Sequence, residues 1–152
     1  MAGSADSAIG VLGVKLNADD ASAQHDPGLE VNTQDGRAIY AKAASNCVPG
    51  HLVKVAPSSA GATVSCIAVL QSTGTINTAG VWAVAQATVS ASNYGWFYTE
   101  GRRDCVVKVA AGCQPNVPLY TTTTGGVVDD GTVSTAGLMN IRIMTSASAA
   151  SS

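Results

Sequence analysis

Two histidines, four cysteines and two pairs of adjacent aspartates are the residues with most reach for chemistry, and their spacing argues against most of it. His25 lies in QHDPG, a polar turn, and His51 follows Pro49-Gly50 at the start of an apolar run. A zinc site needs three or four Cys, His or carboxylate ligands at compatible spacing. Asp26, beside His25, is the one acid near either histidine, and neighbours in a turn rarely meet at one ion. Cys47, Cys66, Cys105 and Cys113 are separated by 19, 39 and 8 residues, so no Cys-x-x-Cys pair exists. Buried structural thiols are the expectation for a chain made in reducing cytosol. Asp19-Asp20 and Asp129-Asp130 lack the alternating oxygen ligands of a calcium loop and read as acidic turns. Serines are abundant, but Gly-x-Ser-x-Gly is absent and no constellation of nucleophile, base and acid stands out. The expectation is therefore a protein that is not an enzyme and that uses no metal or cofactor.

The elements around these residues are strands. Asp35-Gly36, Pro49-Gly50 and the small residues at 58–61 are turn signals, each followed by a β-branched or alternating run. They predict strands at Arg37–Ala43, His51–Ala56 and Ala62–Leu70. In Val81–Ser90 a period of two sets Val81, Ala83, Ala85, Ala87 and Val89, the expected core face, against Trp82, Val84, Gln86, Thr88 and Ser90. Tyr94–Thr99 carries Tyr94, Trp96 and Tyr98 on one face and Phe97 on the other. Asp104–Ala111 groups Cys105, Val107, Val109 and Ala111. Further strands are expected at Pro118–Thr123 and Leu138–Thr145. Turn signals about every 8–12 residues are those of an all-β sandwich or barrel. The fold class expected is a compact antiparallel β-barrel or β-sandwich with an extended N-terminal arm.

The chain has 152 residues, enough for one domain with a real core. Only 12% of them are charged, against about a quarter in an ordinary globular protein. A surface so poor in charge suits contact with copies of itself or with a partner; the plainer alternative is a surface kept soluble by Ser and Thr hydroxyls. A formal net charge of −2 argues against nucleic acid, which calls for a basic face. No apolar run approaches the roughly 20 residues that span lipid. The N-terminus lacks the basic lead and long apolar stretch of a secretion signal, so the chain is expected to be cytoplasmic in origin, or released only when the producing cell breaks.

Residues 1–35 are small, polar and weakly periodic, and read as an arm: either a helix over 4–16 weakened by Gly10 and Gly13, or an extended segment. Its apolar residues, Ile9, Val11, Leu12, Val14 and Leu16, are the candidate anchors on a neighbouring copy or partner. The turn Glu100–Asp104 concentrates scarce charge, and its Arg102 and Arg103 are candidates for a polar contact. Trp82 and Trp96 are the large rings available to anchor an interface or stack a sugar. The β-domain is expected over 36–145, with a loose tail at 146–152.

Three stretches carry a family resemblance: DGRAIYAKAASNCVPGHLVKV (35–55), NYGWFYTEGRRDCVVKVAAG (93–112) and VPLYTTTTGGVVDD (117–130). In order and character they resemble the small β-rich decoration, or cement, proteins of tailed-bacteriophage heads. The resemblance implies a structural virion protein on the capsid exterior, bridging neighbouring major capsid subunits. Decoration sites lie on shell symmetry axes, so a homotrimer is expected before a dimer. Deleting residues 1–20 is expected to abolish capsid binding or oligomerisation while leaving the β-domain folded. The rival reading is a tail or surface β-module that binds host glycan through exposed Trp82 or Trp96.

Overall fold

The computed structural model describes residues 15–33, 36–58, 65–72, 74–75, 79–101, 105–131 and 137–138. They form nine strands: β1 Glu30–Thr33, β2 Gly36–Ala43, β3 Leu52–Ser58, β4 Ser65–Leu70, β5 Val81–Ala85, β6 Tyr94–Gly101, β7 Leu119–Thr121, β8 Val128–Asp129 and β9 Gly137–Leu138. The fold is all-β, with no helix among the described residues.

Strands β2, β4, β3, β5 and β6 hydrogen-bond in that order, and β6 returns to β2, so the sheet closes into a five-stranded barrel. Closure leaves the barrel strands few open edges, the usual liability of a sheet. Four of the five pairings are antiparallel, and β2 against β4 is parallel. The extra strand β1 lies antiparallel along the first half of β2, with Thr33 opposite Gly36. A bulge between Arg37 and Ala38 interrupts the β2–β6 ladder. Strands β7, β8 and β9 make a separate small sheet.

Alternation along the strands places two sets of side chains. Ile39, Ala41, Ala43, Val53, Val55, Cys66, Ala68, Ala83, Ala85 and Phe97 belong to the barrel's core, joined by Cys47 and Val89. A five-stranded barrel is narrow, and inward positions filled by side chains must be small. The many alanines and the single Phe of this chain meet that limit. The other face of β2 and β6 is apolar too: Ala38, Tyr40, Trp96 and Tyr98 cluster there with Leu16. Leu52, Cys113, Leu119 and Val128 form a third cluster, against which Trp82, Val84, Val107 and Val109 pack. A sheet that is apolar on both faces needs cover on both. The chain supplies it from residues before β1 and after β6.

Several expectations about bounds are corrected. The Val81–Ser90 strand stops at Ala85; Val81, assigned to the core face, is 51% exposed, and Val89 makes only an isolated bridge to Cys47. Asp104–Ala111 is not a strand where described. Only Val109 bridges, to Val128, and Cys105 packs on the Tyr40–Trp96 cluster while Val107 and Val109 pack on the Leu52 cluster. The Gln86 side chain takes a strand partner's place there, donating from Nε2 to the Val106 carbonyl and accepting the Val106 N–H at Oε1, both at 2.9 Å. Strand β1 falls inside the stretch assigned to the arm. Of Leu138–Thr145, β9 shows the start, and residues 139–145 lie outside the described residues.

Candidate functional site

Residues 15–29 cross the outer face of β2 and β6 as a strap. Leu16 is 5% exposed, packed with Ala38, Tyr40, Trp96 and Tyr98, with Ala18 at the margin. Asp20 and Tyr94 exchange both backbone hydrogen bonds, at 2.9 and 2.8 Å. Farther along, the Gly28 N–H donates to the Tyr40 carbonyl at 2.7 Å, and the Tyr40 N–H donates to the Leu29 carbonyl at 2.9 Å. The strap thus borrows the barrel's backbone at Asp20 and again at its C-terminal end, Gly28–Leu29.

Two neighbouring carboxylates fasten its middle. Asp19 accepts the Ser90 N–H and hydroxyl, both at 2.8 Å, and the Asn93 side-chain amide at 2.9 Å. The Ser90 backbone bond, then the Ser90 hydroxyl and the Asn93 amide, hold the Asp19 carboxyl below the usual carboxylate range. The Tyr40 hydroxyl donates to Asp20 at 2.8 Å and accepts the Gln24 N–H at 3.1 Å. Burial, reinforced by Asp20, pushes the Tyr40 hydroxyl up to about 12, so it remains a donor through the neutral range.

Aromatic rings fill the space beneath. Tyr40 and Trp96 centroids are 5.0 Å apart, and Tyr40 stacks on Tyr94 at 6.0 Å. His25 closes the group from the strap, edge-on to Tyr40 at 5.2 Å and 5.4 Å from Trp96. Edge-on and offset contacts of this kind suit ring quadrupoles. Trp96 Nε1 is buried with no hydrogen-bond partner among the described residues, a cost of closing the strap.

The expected site residues fall into three groups. Ile9, Val11, Leu12, Val14, Arg102 and Arg103 lie outside the described residues. Leu16, expected to anchor on a neighbour, is instead buried on its own barrel, because the strap covers an apolar face that would otherwise meet water. Trp96, expected as a surface ring, is 1% exposed under the same strap and offers no stacking platform in this state. Trp82 is half-buried on the outer face of β5, with Lys54 Nζ 4.4 Å from its ring centroid. Of the other expected residues that are described, Leu16 and Trp96 lie in a different cluster from Trp82. Asp19, Asp20 and His25, which the sequence offers only as turn residues, come together at the strap with Tyr40.

The thiols are quiet. Cys47, Cys66, Cys105 and Cys113 form no disulfide, and Cys47, Cys66 and Cys113 are buried. Burial pushes the Cys47 thiol up to about 11 and raises Cys66 and Cys113, so none of these three is activated as a nucleophile. Among the described residues, Cys113, Asp129 and Asp130 place ligand atoms within 4.8 Å of one another, close enough to hold a metal ion. Their oxygens already close a turn: Asp130 accepts the Gln114 N–H at 2.8 Å and Asp129 the Asp130 N–H at 2.9 Å. Neither histidine joins them. Burial, then the Lys108 charge, holds His51 below its ordinary range.

Comparison of the chain with protein-family models, with curated protein sequences and with solved structures found no match.

Proposed function

We propose that this chain is a structural virion protein, a decoration protein that binds the outside of an assembled phage capsid and cements neighbouring major capsid subunits. The observation that carries the reading is a closed barrel whose surface is poor in charge. Eighteen residues of 152 are charged, ten acidic and eight basic. Val81 and Val106 are each 51% exposed. Such a surface loses little by being covered, because few ions need desolvating and alkyl area leaves water. The resemblance of residues 35–55, 93–112 and 117–130 to phage cement proteins supports the same reading.

The work of such a protein is adhesion. Each copy need bind only modestly, since many copies on one shell act together and each bridged pair of subunits must break its contacts before separating. A homo-oligomer, trimer before dimer, fits a lattice that presents repeated symmetric sites. The partners are then the major capsid protein and the chain itself, on the capsid exterior. Glycan binding is the weaker reading, because burial of Trp96 removes one of its two stacking rings.

Leu16, Ala18, Asp19 and Asp20 are built into the domain, so a deletion that tests the arm stops before them. Removing residues 1–14 is expected to leave the far-ultraviolet circular dichroism of the barrel unchanged and to lower occupancy on heads stripped of the protein, measured by co-sedimentation. Unchanged occupancy would remove Ile9, Val11, Leu12 and Val14 from the binding surface.

A further inference from the structure

We propose that residues 15–29 form an acid-released strap: protonation of Asp19 detaches it and uncovers the aromatic face of Tyr40, Trp96 and Tyr98 while the barrel stays closed. The inference goes beyond adhesion to a shell and holds whether or not the protein decorates one.

The strap and the barrel are held by different kinds of contact. The barrel's interior cluster contains no charged group, and its strands close through backbone ladders. The strap buries one large apolar side chain, Leu16, and is otherwise tied by backbone bonds at Asp20, Gly28 and Leu29 and by two carboxylates near the surface. Titration therefore acts on the strap first.

The chemistry of the ties gives the direction. All three Asp19 contacts are drawn from hydrogen donors: a backbone N–H, a hydroxyl and an amide. A proton placed on that carboxyl weakens the bonds from the backbone N–H and the amide, and only the Ser90 hydroxyl can turn to accept it. Asp20 likewise accepts from Tyr40, whose hydroxyl already receives the Gln24 N–H. Asp19 ionises more readily folded than unfolded, so its contribution is complete above the ordinary carboxylate range. It is lost as pH falls below that range. The other titratable or charged groups nearby are Lys15, His25 and Asp26 on the strap, Lys42 on β2, Tyr94 on β6 and Cys105 beside the same cluster. His25 stacks on Tyr40 and Trp96, so its protonation must be separated from that of the carboxylates.

Opening has a structural reward. Trp96 Nε1 lacks an acceptor among the described residues while the strap is closed, and it gains water when the strap leaves. Local opening of a surface segment below the global unfolding threshold is ordinary behaviour for a weakly packed unit.

The test is amide hydrogen exchange on the full chain, wild type and Asp19→Asn, at neutral pH and through an acid titration. At neutral pH, Asp19→Asn is expected to reduce protection of the Asp20, Gly28 and Ser90 amides about tenfold while Val53 and Val55 keep theirs. Wild-type protein brought below the carboxylate range is expected to show the same pattern. In a Trp82→Phe background, acrylamide quenching of Trp96 should rise in step. If Asp19→Asn does not fold, Asn93→Ala removes one tie from the barrel side and is expected to raise the pH at which the strap opens. Simultaneous loss of protection in strap and barrel would overturn the proposal. So would a shielded Trp96 after acidification, or a His25→Gln variant that abolishes the acid transition.

Discussion

Truncation of Phe97 to alanine is expected to cost about 3–5 kcal/mol, the range for removing a buried aromatic ring. Phe97 is fully buried and is the only aromatic side chain in the barrel's interior cluster. The residues around it include Ala41, Ala68, Ala83 and Ala85, which have no rotamer freedom with which to fill the space. The cavity therefore persists, and the cost falls toward the upper end. Against a total of about 5–15 kcal/mol for a domain, this is enough to unfold a large fraction of the protein at 37 °C. Urea denaturation followed by circular dichroism measures it. A loss below about 1 kcal/mol would mean that the barrel is not closed around this ring.

Substitution of Gly36 by alanine is expected to cost about 2–5 kcal/mol through strain and overpacking together. Gly36 opens β2 at the point where β1, β2 and β6 meet, opposite both Thr33 and Gly101. Its φ is +147°, a conformation that L side chains rarely adopt. A Cβ there would overlap the Glu100 carbonyl, which is backbone and cannot swing aside. Barrel closure at this end should loosen, with faster amide exchange at Arg37 and Gly101 than at Val53. A midpoint of thermal unfolding within about 2 °C of wild type would contradict the packing described for this corner.

Much of the barrel is legible in the sequence because its physics is local. Phe97 and Trp96 stand on opposite faces of β6 by alternation alone, and both Pro49-Gly50 and the small residues near 60 separate runs that do become strands. The bounds fail where a distant side chain decides them. Gln86 completes the pairing of Val106 from 20 residues away, which ends one strand and replaces another. The strap was illegible for the same reason. Asp19 reaches Ser90 and Asn93 across 71 and 74 residues, and nothing in a run of small polar residues announces such partners. Alternation sets Trp96 on the face opposite Phe97 and says nothing of what covers that face. The strap covers that face, so the ring is buried. A signal was present in Leu16 and Ala18, spaced by two like a strand, but two residues are too few to carry an assignment.

The adhesion account is tested most directly by counting this protein in purified particles. Virions from the host that makes the chain, banded on a density gradient and quantified by mass spectrometry against the major capsid protein, should contain it in a fixed ratio set by shell lattice positions. Particles free of the protein, with all of it soluble in the same lysate, would contradict the account.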